Sequence, residues 1–202
     1  PANSGIVHYD HVIPNEATLP AELFLEAGYR TAGIFRNGWV APNFGFDQGF
    51  ETYIKPRVGA ERARIARKNP SGAYLQGTDE DLLDSAIEYL DVYGHKRFFL
   101  YLHMMDLHQY VYDDKATRFG TSYLDVYDQS INWTDRVIAK LVETLGERGL
   151  RKKTLIVIAA DHGEAFSERG YEGHARFVYK ETTLVPLILS LPFKLDPGVV
   201  VP

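Results

Sequence analysis

The chain has 202 residues, a formal net charge of −5 at pH 7, 45% hydrophobic and 13% aromatic residues, and no cysteine. This composition is typical of a globular domain with a sizeable core, and it excludes disulfides, thiolate metal sites and a cysteine nucleophile within these residues. The negative charge disfavours a nucleic-acid partner, and no apolar run approaches the roughly 18 residues of a membrane span. Composition leaves the cellular compartment open.

The first quarter of the chain predicts a helix followed by a strand. Thr18 as N-cap and Pro20 in the first turn begin the helix, and Gly28 ends it. The strand covers residues 29–35. A loop rich in glycine, proline and aromatic residues follows at 36–53.

The middle of the chain predicts a second helix and a second strand. Thr78, followed three residues later by Asp81, forms a capping box for a helix over residues 79–93. A strand is predicted at 97–103, where an apolar run over 98–102 follows Arg97 and ends at His103, a pattern typical of a strand buried on both faces. The basic segment 59–68 is interpreted as a solvated turn or loop.

The longest predicted helix covers residues 121–146. Two further strands, expected to be fully buried, follow at 154–160 and 183–191. The alternation of strands and helices predicts one α/β domain with a mostly parallel sheet. Along the long helix a stripe of side chains recurs at steps of three and four, and we expect it to pack in the core. The stripe consists of Tyr123, Tyr127, Ile131, Thr134, Ile138, Leu141 and Leu145.

Titratable side chains follow two of the predicted strands, one group after 97–103 and one after 154–160. In open α/β sheets ligands bind beyond the carboxyl ends of the strands, so two parallel strands would bring both groups to one edge. Carboxylate and imidazole ligands suit a divalent cation. The adjacent Asp161 and His162 could share one ion if the chain turns there, which Gly163 permits. His174 follows in the next loop. The first group consists of His103, Asp106 and His108, and the second consists of Asp161, His162 and Glu164.

Structural interpretations of the same residues stay open. Asp161 could cap a helix with Glu164 as its capping-box partner. His108 could be a loop histidine bonded to the backbone. His103 could belong to the core, or it could contact the site residues without contacting the ligand. The functional interpretation depends on all of these residues being expected at one edge of the sheet.

Three segments resemble the sulfatase family, in the family's order and over about residues 18–200. Residues 21–53 resemble a helix ending in E-A-G-Y-x-T-A, a strand and F-G-F-D-x-G-F. Residues 98–108 resemble F-L-x-L-H-x-x-D-P-H, with Leu107 in place of the proline. Residues 127–189 resemble a helix and strand followed by D-H-G-E, G-H and V-P-L-I. The resemblance implies an alkaline-phosphatase-like three-layer α/β sandwich with a mostly parallel central sheet, of which this chain is a partial domain.

The resemblance also implies an activity, the metal-dependent hydrolysis of sulfate esters. Asp161 and His162 match the family's late metal-ligand pair. His108 matches the histidine that contacts the sulfate or protonates the leaving oxygen, and His174 matches the position that neutralises sulfate charge. The implied cation is calcium in preference to magnesium or manganese, and the implied partner is a small-molecule or sugar sulfate ester.

Two parts of the family's active site have no match in the sequence. These are the C/S-x-P-x-R motif, from which sulfatases make a formylglycine nucleophile, and an early Asp-Asp pair of metal ligands. In relatives both lie upstream of the segment that residues 3–20 resemble. We therefore expect residues 1–202 to be an incomplete catalytic domain that lacks the N-terminal nucleophile and metal segment and a C-terminal part.

An incomplete domain exposes a sheet edge, so we expect residues 1–202 expressed alone to be poorly soluble or to associate. Size-exclusion chromatography and thermal melting test this prediction. A monodisperse monomer that melts cooperatively would contradict it.

Two other functions stay open from the sequence. A phosphodiesterase, phosphonate hydrolase or phosphotransferase of the same superfamily would share the metal-binding residues and differ in its nucleophile. A non-catalytic domain would have kept the fold alone, but such a domain would be expected to have lost some of the four site residues. They are His108, Asp161, His162 and His174.

Overall fold

A computed structural model describes residues 6, 8, 10–59, 66–67, 76–113, 118–174 and 176–201. The basic segment predicted at 59–68 lies largely outside these ranges. The helices are α1 Pro20–Glu26, α2 Asp79–Tyr93, α3 Tyr123–Glu147 and α4 Lys180–Thr183. The strands are β1 Arg30–Phe35, β2 Thr52–Ile54, β3 Ala66–Arg67, β4 Phe98–His103, β5 Val111–Tyr112, β6 Ile156–Ala159, β7 Ala165–Phe166, β8 Glu172–Gly173 and β9 Leu187–Ser190.

A parallel sheet with the strand order β2-β1-β4 forms the centre of the fold. Arg30 pairs with Phe98 at one end of the β1–β4 ladder, and Phe35 pairs with His103 at the other. The two strands therefore end at the same level, and the residues that follow them emerge at one edge. This arrangement confirms the α/β fold class.

The two faces of this sheet are covered by different elements. Ile34 of β1 packs with Leu82 and Ala86 of α2 in one hydrophobic cluster. On the opposite face Phe24 of α1 stacks on Phe99 of β4, with 4.5 Å between ring centroids. Because successive strand residues point to opposite faces, helices cover both sides of the sheet, as a sandwich requires.

Strands β6 and β9 pair with each other in antiparallel register. The prediction that these strands are fully buried is wrong, because half-buried and exposed residues alternate along β6 and most of β9 is exposed. Strand β4 is half-buried along its length, since β1 is its only partner among the described strands. The exposed apolar side chains on the β6–β9 pair provide a surface for the predicted association. They are Val157, Leu187, Ile188 and Leu189.

The helix boundaries match the sequence closely, apart from one cap. The Thr78 hydroxyl accepts a hydrogen bond from the Glu80 amide, and the Thr78 amide donates to Asp81, so the capping box of α2 is confirmed. Helix α1 instead begins after Leu19, whose amide donates to the Glu22 carboxylate at 2.7 Å. Thr18 is therefore not its cap.

The predicted core stripe of α3 is confirmed only in part, because Leu141 packs against a core cluster but most of the stripe is only half-buried. Of its seven members only Leu145 is buried, and Ile131 is exposed. The buried stripe lies on a neighbouring face of the helix and has the same spacing, so periodicity alone does not distinguish the two. The buried members are Val126, Gln129, Ser130, Trp133, Val137, Thr144 and Leu145.

Candidate active site

Three loops carry the candidate site. The loop after β4 holds His108, the loop after β6 holds Asp161 and His162, and His174 follows the β7–β8 hairpin. A turn of three backbone hydrogen bonds surrounds His108. Gln109 donates to the Met105 carbonyl at 3.0 Å, Tyr110 to the Leu107 carbonyl at 3.2 Å, and Val111 to the Asp106 carbonyl at 2.9 Å.

These loops bring three imidazoles together, and we call His108, His162 and His174 the histidine cluster. One nitrogen from each ring lies within 4.8 Å of the others. The rings of His162 and His174 stack with 4.0 Å between their centroids. The His108 ring lies edge-on, 5.1 Å from His174 and 6.1 Å from His162. The tertiary fold therefore assembles three of the four predicted site residues into one group.

Hydrogen bonds to Nδ1 indicate the tautomer of two of these rings. The Nδ1 atom of His162 lies 2.8 Å from the Gly163 carbonyl oxygen, and Nδ1 of His174 lies 3.2 Å from a Glu164 carboxylate oxygen. Neither oxygen can donate, so both Nδ1 atoms carry the proton. When the rings are neutral, their Nε2 lone pairs remain available for a cation or a proton.

Glu164 orients His174 and is itself held in place. Its carboxylate accepts a hydrogen bond from the Tyr110 hydroxyl at 3.1 Å. Tyr110 is almost fully buried, has a left-handed backbone with φ of 53°, and also contacts the Tyr123 hydroxyl. Burial and these contacts raise the pKa of Tyr110, so its hydroxyl stays a donor. Sequence reasoning grouped Glu164 with the site but did not predict that Tyr110 holds it.

Asp161 lies beside the histidine cluster with its carboxylate open to solvent. The side chain is 81% exposed, and Oδ1 lies 3.9 Å from Nε2 of His162. Two ligands bound to one divalent cation stand about 3–4.5 Å apart, so this pair fits such an ion. The helix-cap interpretation of Asp161 is wrong, because the described residues after it form β7 and Glu164 contacts His174.

His103 ends β4 close to this group. Burial lowers the pKa of His103, while the negative charge of Asp161 acts in the opposite direction. Its Nδ1 atom is buried and has no hydrogen-bond partner among the described residues.

Burial also lowers the pKa of His108, and the charges of His174 and His162 act in the same direction. The carboxylates of Glu164 and Asp161 partly oppose this effect. The surroundings of His108 therefore favour its neutral form.

Gly163 is required for a reason that the sequence did not indicate. Its amide donates to the Thr182 carbonyl at 2.9 Å. A Cβ atom added at Gly163 would lie 2.2 Å from the Glu181 carbonyl oxygen. Close backbone approach between the Asp161–Gly163 loop and α4, rather than a left-handed conformation, thus accounts for glycine here.

We expect Gly163→Ala to destabilise the protein by about 1–3 kcal/mol, because neither backbone segment can yield without moving the site. Urea unfolding of the complete protein measures this loss. Gly146→Ala is the control, since a Cβ atom there meets nothing within 4 Å and alanine favours α3. Equal stability of the Gly163→Ala variant and the wild type would contradict the close-approach explanation.

Asp106, predicted to stand with His108 at the strand exit, turns away from the site. It is fully buried and bonded to Arg36, which is 5% exposed. Sequence reasoning did not identify Arg36, because its partners Asp79 and Asp106 lie 43 and 70 positions along the chain. An arginine directly after an apolar strand was the one available signal.

The sulfatase family model matches residues 1–199. An endo-4-O-sulfatase of Bacteroides thetaiotaomicron is 30% identical over 73 residues, which are 36% of this chain and 14% of that protein. Lipoteichoic acid synthase LtaP from Listeria monocytogenes has a TM-score of 0.65 at 17% identity, over 94% of this chain and 49% of that one. A protein solved in complex with its substrate D-glucosamine-2-N,6-O-disulfate has a TM-score of 0.64 at 15% identity, over 98% and 60%.

The chain thus spans about half to three fifths of the solved relatives' length, and its alignment covers a smaller share of the curated relative. The similarity to the solved structures establishes the alkaline-phosphatase-like fold. Among the described residues, no helix is both long and apolar enough to cross a membrane.

Proposed function

The chain belongs to the sulfatase family, and from that premise we propose that the complete protein hydrolyses sulfate esters with the help of a divalent cation. The observation that carries this proposal is the convergence of His108, His162 and His174 within 4.8 Å, with Asp161 beside them. Three separate loops contribute these residues, and isolated structural roles would not require them to meet.

Sulfatases generally bind a divalent cation, and we assign Asp161 and His162 as two of its ligands. The carboxylate oxygen and the unprotonated Nε2 atom are donors of the right kind and separation. Calcium takes six to eight oxygen ligands. If calcium is the ion, most of its ligands come from outside the described residues. When bound, the ion would polarise the ester and offset the charge of the transferring group.

We assign His108 and His174 to the sulfate group and the leaving oxygen. His174 is held by Glu164, so its Nε2 atom has a fixed direction, and as an imidazolium it would offset negative charge on the sulfate. His108, with 5.1 Å between its ring and that of His174, would deliver a proton to the departing alcohol in its protonated form, which the negative charge of a bound sulfate would favour. Both rings would thus contact the same sulfate ester.

The nucleophile in this proposal is a formylglycine supplied from outside residues 1–202. That residue would supply the hydroxyl nucleophile for the sulfur atom, while His108 and His174 act on the sulfate group and the leaving oxygen. A sugar sulfate is the favoured substrate, since one relative is an endo-4-O-sulfatase and another structure contains a disulfated glucosamine.

Two measurements on the complete protein test the proposal. Mass analysis of its tryptic peptides should reveal a cysteine or serine converted to formylglycine, and sulfated sugars should be desulfated faster than matched phosphate esters are hydrolysed. An unmodified threonine or serine nucleophile with phosphate-ester turnover would establish the phosphoryl-transfer alternative. No turnover of either ester, with no nucleophile, would indicate a non-catalytic domain.

A further inference from the structure

A fully enclosed group of charges lies behind His108, and we call Arg36, Asp79 and Asp106 the buried ion cluster. The three residues are 5%, 0% and 0% exposed. Arg36 Nη1 donates to Asp79 Oδ1 at 2.6 Å and to Asp106 Oδ1, and Nη2 donates to the Gly77 carbonyl at 2.7 Å. Two carboxylates face one guanidinium, so buried negative charge would remain uncompensated unless further donors reached it.

Two of the four further donors come from the loop that carries His108. The Asp79 carboxylate accepts from the Met105 amide at 2.9 Å and from the Asp106 amide at 2.8 Å. The Asp106 carboxylate accepts from the Asp79 amide and from Trp133 Nε1, both at 2.8 Å. The start of this loop is thereby tied to the end of β1, the N-terminus of α2 and the middle of α3.

Asp106, which these hydrogen bonds hold in place, is two residues from His108. Asp106 also anchors the far side of the turn, because its carbonyl accepts from the Val111 amide at 2.9 Å. Tyr110, on the same turn, donates to Glu164, which in turn holds His174. Both imidazoles assigned to the sulfate group therefore depend on the segment that the buried ion cluster fixes.

Stability alone does not explain such an arrangement. A buried ion pair or triad adds little stability compared with apolar residues of the same volume, whereas its directional bonds define one backbone geometry. Here those bonds converge on two consecutive amides of one loop. We propose that Arg36, Asp79 and Asp106 are positioning residues that set the location of His108 and, through Tyr110 and Glu164, that of His174. This inference rests on the proposed function for the roles of the two histidines.

The test variant is Asp106→Asn in the complete protein, which preserves shape but presents an amide to Arg36. We expect kcat for a sulfated sugar to fall about 10- to 100-fold with little change in KM. A displacement of a catalytic group by about 1 Å can lower the rate by such a factor. In a His108→Ala background the same substitution should cost less than it does in the wild type, since the part of its effect that acts through His108 is already lost.

A second measurement does not depend on the reaction. With histidines ¹³C-labelled at the ring, the His108 signal, assigned by its loss in His108→Ala, should shift or broaden in Asp106→Asn. Leu145→Ala is the control for general destabilisation, because Leu145 is 4% exposed on α3 and lies outside the buried ion cluster. It should lower the melting temperature and leave the His108 signal unchanged.

If Asp106→Asn does not fold, Trp133→Phe takes its place, because it removes the indole donor to Asp106 while keeping an aromatic ring, and it should give a smaller change in the same direction. An unchanged His108 signal, or full additivity with His108→Ala, would overturn the positioning role. If no sulfate ester is turned over, the proposed function fails, while the ring signal still decides the positioning role.

Discussion

Asp161→Ala is expected to weaken divalent-cation binding to the complete protein by at least about 100-fold, which is the upper end of the effect seen when supporting residues around a metal are lost. The reason is that the substitution removes a carboxylate ligand and its negative charge from a site where His162 is the other assigned ligand. The fold should survive the change. The side chain is 81% exposed, and the hydrogen bond it accepts is from the neighbouring His162 amide at 3.1 Å.

Calorimetric titration of the metal-stripped protein with calcium, magnesium and manganese measures this effect. The control is Asp91→Ala, which removes another exposed aspartate, 57% exposed and paired with Arg148 at the protein surface. It should leave the affinity unchanged. Unchanged affinity in Asp161→Ala would refute the metal assignment, whatever the reaction proves to be.

His108→Ala is expected to lower kcat for a sulfate ester by about 10²- to 10⁴-fold, the usual contribution of a positioned proton donor. His108 is half-buried beside two other imidazoles, and among the described residues the histidine cluster has no fourth ring that could replace it. Cation affinity should change little, because His108 is assigned to the sulfate group and not to the metal.

Steady-state kinetics on the complete protein, with the calorimetric titration repeated, separates these two effects. His95→Ala is the matched control, since His95 is exposed in the turn after α2. A loss of activity smaller than about threefold would show that another group supplies the proton. A parallel loss of cation affinity would instead make His108 a metal ligand.

Local patterns were sufficient where neighbouring residues decide the outcome. The capping box at Thr78 predicted the start of α2, and Gly28, with φ of 77°, follows the end of α1 as expected. The apolar runs predicted β1 and β4 to within a residue. Hydrogen bonds between residues two to four positions apart determine the helix ends, so these can be recognised in a short window of sequence.

Local patterns were insufficient where two faces of one helix have side chains at the same spacing. On α3 the stripe through Tyr127 and Ile131 and the stripe through Val126 and Trp133 have the same spacing. Trp133 lies inside because its indole bonds to Asp106 and its ring packs against Leu83 and Val111. Those partners are distant in sequence, so no window along α3 contains the information that selects its buried face.

The α/β class and the family could be recognised from the sequence, which also predicts His108, Asp161, His162 and His174 as the site. Such recognition is possible because motifs at strand exits keep their chemistry in a short, recognisable order. Three features became visible only in the folded chain: Glu164 and Tyr110 support His174, a close backbone contact requires Gly163, and Asp106 is enclosed with Arg36. Each of these depends on contacts between residues that the chain separates by 10 to 70 positions. Such contacts exist only once the sheet and its helices have packed.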